Sequence, residues 1–169
     1  MTDMLKNCQL CPRACGADRT KSRGACGAGI EIEAARASLH MWEEPPISGT
    51  NGSGTVFFSH CSLGCVFCQN RKISRREAEG QNITADALAK TFLSLEKKGA
   101  HNINLVTGAH YVPQIIEALQ IARKQGLSLP VVYNSSGYEQ VETLQLLDGH
   151  IDIYLPDYKY YSSYYAGLY

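Results

Sequence analysis

Three cysteines, Cys61, Cys65 and Cys68, directly follow the β-branched and aromatic run Thr55–Ser59. That run reads as a short strand, so the thiols emerge beyond its carboxyl end in the loop Cys61-Ser-Leu-Gly-Cys65-Val-Phe-Cys68-Gln-Asn70. The C-x3-C-x2-C spacing supplies three thiolates from one tight turn, and no further cysteine follows them. A four-iron cube held by three thiolates keeps one iron open to a small molecule. A zinc ion would instead need His60 or a distant residue as a fourth ligand. The bare spacing leaves both readings open.

The chain around this loop divides by composition. Residues 1–45 are cysteine-rich and irregular, with Ile30–Ala37 the only regular fragment expected, and residues 46–54 read as a Gly/Ser/Pro linker. Residues 55–169 alternate strands with helices. Thr84 is placed to cap a helix running to about Lys98, with Leu88, Phe92 and Leu95 on one face and Gly99 as its stop. Asn102–Thr107 reads as a strand; Val112, Ile115, Ile116, Leu119 and Ala122 stripe the next helix, which Gly126 closes. Pro130–Ser135 is a third strand, Glu139–Leu147 a helix with Val141, Leu144 and Leu147 inward, and Ile151–Leu155 a fourth strand. Four such repeats predict an α/β fold with a parallel sheet and right-handed crossovers. Ligands in these sheets sit at the strands' carboxyl ends, where Cys61, Thr107-Gly108, Asn134-Ser135 and Asp157 all fall.

Composition narrows the function classes. Sixteen basic and sixteen acidic residues cancel, which argues against a nucleic-acid or anionic-membrane partner. No apolar run reaches the roughly 18 residues of a membrane span, and no signal segment opens the chain. Seven cysteines, split as four plus three, suit two metal-type groups better than disulfides. Reduced thiols fit a cytoplasmic location.

The loop, with Phe67 before the third cysteine and Gln69-Asn70 after it, resembles the radical S-adenosylmethionine (SAM) enzymes. The runs Cys8-Gln-Leu-Cys11-Pro-Arg-Ala-Cys15-Gly, Leu39-His-Met-Trp42-Glu-Glu-Pro-Pro and Gly52-Ser-Gly-Thr-Val-Phe-Phe are similar to a branch described as pyruvate formate-lyase activating enzyme-like iron–sulfur proteins. This resemblance implies a partial (β/α) radical SAM barrel, here with about four repeats. It implies a [4Fe–4S] cluster on Cys61, Cys65 and Cys68, and SAM beside it, with Phe67 against the adenine. Thr107 and Gly108 stand where many members carry Gly-Gly-Glu-Pro for the SAM amino group, and the glutamate is missing here. Asn134 replaces an aspartate expected at the ribose, and His110 reads as a surface residue at a helix start. Asp157 and Lys159 match an Asp-x-Lys motif that serves a cation site and the SAM carboxylate. The resemblance further implies a glycyl-radical-type protein substrate and a low-potential flavodoxin or ferredoxin as electron donor. The alternatives are a radical enzyme acting on a small molecule or another macromolecule, and a metal-binding module without turnover.

Cys8, Cys11, Cys15 and Cys26 could close a tetrahedral site for zinc or a second iron–sulfur cluster. Arg13, Asp18, Arg19 and Arg36 read as supporting or surface residues around it. The tyrosine-rich tail from Tyr158 onward has too few basic residues for nucleic acid and reads as an exposed surface.

Overall fold

The computed structural model describes residues 3–78 and 80–168. Its strands are β1 (Ile32–His40), β2 (Ser53–Phe58), β3 (Gln81–Ile83), β4 (Ile103–Val106), β5 (Val131–Ser135) and β6 (Ile153–Pro156). They form one sheet in the order β3-β1-β2-β4-β5-β6. The neighbours from β2 to β6 pair in parallel, whereas β1 runs antiparallel to both β2 and β3. The helices are α1 (Asp3–Lys6), α2 (Pro45–Ser48), α3 (Arg71–Ser74), α4 (Ala85–Lys97), α5 (Val112–Lys124), α6 (Val141–Leu146) and α7 (Ser163–Leu168).

Alternation along the strands divides the sheet into two faces. Val56, Phe58, Ile103, Leu105, Val131 and Tyr133 are buried in one core cluster with Leu88, Phe92 and Leu95 of α4 and Ile115 and Leu119 of α5. Thr55, Asn104 and Asn134 alternate onto the other face together with Phe57, Val106 and Val132, so that face mixes polar and apolar side chains. Thr84 caps α4 as expected, its Oγ1 accepting from the Ala87 N–H at 3.2 Å. Loops at the carboxyl edge of the parallel strands are thereby left free to carry chemistry, while α4 and α5 fix the strands beneath them.

Two expectations change. The division at residue 45 falls between elements of one sheet, because β1 pairs with β2 from Ala34 to His40 and with β3 at Ile32–Ala34. Ladder hydrogen bonds hold that segment in place, with Ile32 and Ala28 anchored in the core. In α6 only the following Leu147 is fully buried; Val141 and Leu144 are exposed and Thr143 takes the inward position. The helix is too short for a complete apolar stripe.

Candidate functional site

The loop after β2 is held from outside by two arginines. Arg75 donates Nη1 to Gly64 O at 2.9 Å and Nη2 to Cys65 O at 3.0 Å. Arg13, from the amino-terminal segment, donates Nε to Ser62 O and Nη2 to Leu63 O, the latter at 3.1 Å. The carbonyls of residues 62, 63, 64 and 65 are all bound by guanidinium groups. The entry to the loop is strained, since His60 has φ +71 and is not glycine. Its imidazole lies 3.0 Å from the Glu33 carboxylate through Nε2 and 3.3 Å from Arg75 O through Nδ1. With both nitrogens engaged away from the thiols, His60 is not a fourth ligand for the cysteine loop.

The three thiols are half-buried. The Leu63 N–H donates to Cys61 Sγ at 3.4 Å, and Cys68 Sγ lies 3.3 Å from Ser74 Oγ. Burial pushes the Cys65 thiol up, Lys159 pulls it down, and the neighbouring Cys61 and Cys68 push it up again. The three sulfurs therefore feel one another's charge. Among the described residues, no three His, Cys, Asp or Glu side chains gather as the shell of a single metal ion.

The other strand ends reach the same edge. Lys159 donates to Asp157 at 2.6 Å, and its ammonium is held up, against the cost of burial, by Asp157 and then by Cys65 and Cys61. The residues following β6 thus lie within charge range of the cysteine loop. Thr107 is left-handed at φ +56, a costly conformation for a β-branched residue, and its N–H donates to Asn134 O at 2.9 Å. A side chain at Gly108 would meet Ile115 Cδ1 at 2.6 Å, so the β4 turn accepts one only if the tip of Ile115 moves aside. Asn134 donates Nδ2 to Glu43 Oε2 at 3.2 Å. Phe67 is 56 % exposed and meets Tyr160 edge-on at 5.9 Å, so it is not a core residue.

His110 is a correction. It is buried beneath the edge, its Nε2 2.8 Å from Ser59 O, and burial depresses its pKa to about 3. It braces the end of β2 rather than facing solvent. Arg19 is also buried, and Arg36 stacks on the Phe57 ring at 4.7 Å. Sequence reasoning did not single out Glu33, Glu43, Arg75 or Glu139. Ser135 donates to Glu139 at 2.7 Å, fixing the turn after β5, and burial pushes that carboxyl up. No periodic or motif signal marks these residues, because each acts through a contact distant in sequence or within an irregular loop.

The donor set fits an iron–sulfur cluster. Soft thiolates from one loop are the ligands such clusters take. An amide N–H already faces Cys61 Sγ, and a cation stands near Cys61 and Cys65.

Comparison with known proteins bears on this edge directly. A family profile described as the Radical SAM superfamily matches residues 55–163. An uncharacterized protein of Methanocaldococcus jannaschii is 31 % identical over 163 residues, covering 94 % of this chain and 47 % of the relative. The chain thus spans about half the length of that curated relative. No solved structure matches it significantly.

Proposed function

This chain belongs to the radical SAM superfamily, and from that premise we propose that Cys61, Cys65 and Cys68 hold the [4Fe–4S] cluster and that SAM binds along the adjoining strand ends. The cluster supplies, when bound, one electron to the sulfonium of SAM, releasing methionine and a 5′-deoxyadenosyl radical that takes a hydrogen atom from substrate. The observation that carries the reading is the contact of Phe67 with Tyr160 at 5.9 Å, which brings residues after the last parallel strand beside the loop after the first.

The chain's own residues then divide the work. Lys159, a compact cation, suits the carboxylate of SAM, with Asp157 orienting it. The Thr107-Gly108 turn offers backbone carbonyls to the amino group, and Asn134 offers an amide to the ribose. Phe67 supplies an exposed apolar surface for the adenine. Arg13 and Arg75 keep the loop from collapsing or rotating.

The finer assignment is an activating enzyme that takes hydrogen from a glycine of a partner protein, reduced by a flavodoxin or ferredoxin. It is supported by the resemblance of the cysteine runs and by an exposed apolar rim at Val66, Phe67, Tyr158 and Tyr161, suited to a large partner. The deciding experiment is anaerobic reconstitution with iron and sulfide, followed by dithionite and SAM. The expected result is 5′-deoxyadenosine that disappears in Cys65→Ala. An iron-loaded chain that makes none would overturn the reading, and a glycyl-radical EPR doublet on a partner would establish the finer one.

A further inference from the structure

We propose that Cys8, Cys11, Cys15 and Cys26 hold a second, thiophilic metal centre of net negative charge, balanced by the buried guanidinium of Arg19. This inference does not depend on the cluster assigned to the loop after β2.

The backbone carrying these cysteines is already closed into a knuckle. Cys8 N–H donates to Ala17 O at 3.1 Å and Gly16 N–H returns to Cys8 O at 3.0 Å, while Ala14 N–H donates to Cys11 O at 2.9 Å. Ala14, between Cys11 and Cys15, has φ +38. Together with His60 and Thr107 it completes the set of non-glycine residues with positive φ among the described residues, and the other two belong to the edge just described. Such strain concentrates where geometry serves a site. A second turn, closed by Gly27 N–H to Gly24 O at 2.9 Å, presents Cys26. A side chain at Gly27 would collide with Arg76 at 2.7 Å and His60 at 2.9 Å, so Cys26 is pinned against the base of the cysteine loop.

Backbone amides meet the sulfurs. The Ala28 N–H donates to Cys26 Sγ at 3.5 Å, repeating the i+2 bond that Leu63 makes to Cys61. The Arg13 amide faces Cys11, and the amides of Ala25 and Ala17 face Cys15. Amide donors stabilise a thiolate far more than a thiol, a weak acceptor. The Gly16 N–H bond to Cys8 O brings the residues next to Cys15 back to Cys8, and Arg19, reaching both Cys8 Sγ at 3.9 Å and Gly29 O at 3.0 Å, joins that turn to the one that carries Cys26. Each cysteine has a single torsion with which to turn onto a common centre.

Arg19 supplies the charge argument. It is only 1 % exposed, and donates to Gly29 O at 3.0 Å, to His110 O at 2.5 Å and to Cys8 Sγ at 3.9 Å, over the Tyr111 ring. Among the described residues it forms no ion pair with a carboxylate. A buried cation without a counter-charge is strongly destabilising. Four thiolates around zinc carry a net charge of about −2 and would supply the missing counter-charge. A four-cysteine iron–sulfur cluster with a doubly positive core would do the same. Arg13, inside the knuckle, then ties the centre to Ser62 and Leu63 of the cluster loop.

The test uses the full chain with Cys61, Cys65 and Cys68 all replaced by alanine, so that only the amino-terminal set can bind. It is supplied anaerobically with zinc, or with iron and sulfide, and metal and acid-labile sulfide are counted. About one zinc, or about four irons with sulfide, is expected per chain, the two arms distinguishing the metals. Adding Cys15→Ser should abolish uptake with the circular dichroism unchanged. Arg19→Met should weaken retention against a chelator at least tenfold, and Arg19→Lys should restore part of it. Uptake of neither metal by a folded chain, or disulfides among the four cysteines after anaerobic purification, would overturn the proposal. Equal retention in Arg19→Met would overturn its charge balance. If the triple variant does not fold, the natural chain is compared with Cys15→Ser, and equal metal content overturns the proposal. Failure of the loop after β2 appears separately, as no excess of metal in the natural chain over the triple variant.

Discussion

Arg75 acts on the site without touching the sulfurs, through bonds to the carbonyls of Gly64 and Cys65. Its planar fork is what spans two successive carbonyls, and lysine cannot reproduce that. Arg75→Met is therefore expected to reduce the iron retained after reconstitution and to lower stability by about 1–3 kcal/mol. Arg75→Lys should recover less than half of either loss; iron analysis with urea unfolding checks both. His110 gives a pH dependence of definite sign. Its ordinary pKa of 6.5 falls to about 3 in the folded chain, so the unfolded chain binds the extra proton. Its contribution is complete above about pH 6.5 and is lost as pH falls toward 3, on the order of 5 kcal/mol over the window. Glu43 and Glu139, pushed up by burial, titrate with the opposite sign. Unfolding free energies at pH 7 and pH 5 should therefore show a shallower slope in His110→Gln than in the natural chain, even if the variant is less stable throughout. An unchanged slope would remove His110 from the account.

The elements that sequence made legible are those with their own signals. Helix α4 has a capping threonine and an apolar stripe, α5 has a stripe ending at a glycine, and β2, β4 and β5 are β-branched and aromatic. The cap is a test case: Thr84→Ala should cost about 1 kcal/mol in urea unfolding, with Thr84→Asp restoring it, because the Ala87 N–H loses its acceptor. β1 was visible only as a fragment, since Glu-Ala-Ala-Arg-Ala-Ser carries no alternation and owes its form to ladders with β2 and β3. The cysteine motifs and Asp157-x-Lys159 were legible as chemistry. The braces at Glu33, Glu43 and Arg75 were not, since a lone charged residue becomes meaningful only when folding places it against a distant partner.

At the scale of the whole molecule, the parallel run stops at β6, which pairs with β5 on one side only in the described sheet. Ile153 and Tyr154 on β6, and Tyr158 and Tyr161 beyond it, are exposed. An unpaired strand edge with apolar side chains is a template for another strand. Of the two edges of the described sheet, β3 and β6, the β6 margin lies next to the strand end that presents Asp157 and Lys159. The expected consequence is concentration-dependent association of this chain through β6, visible as a rising sedimentation coefficient. Ile153→Lys places a charge on that edge and should suppress association, while leaving the β4–β5 pairing and the buried core untouched. If association persists undiminished in Ile153→Lys, the contact lies elsewhere, with the exposed tyrosines after β6 the next surface to alter. If the natural chain stays monomeric at high concentration, the edge is protected by its own twist and the short four-residue length of β6.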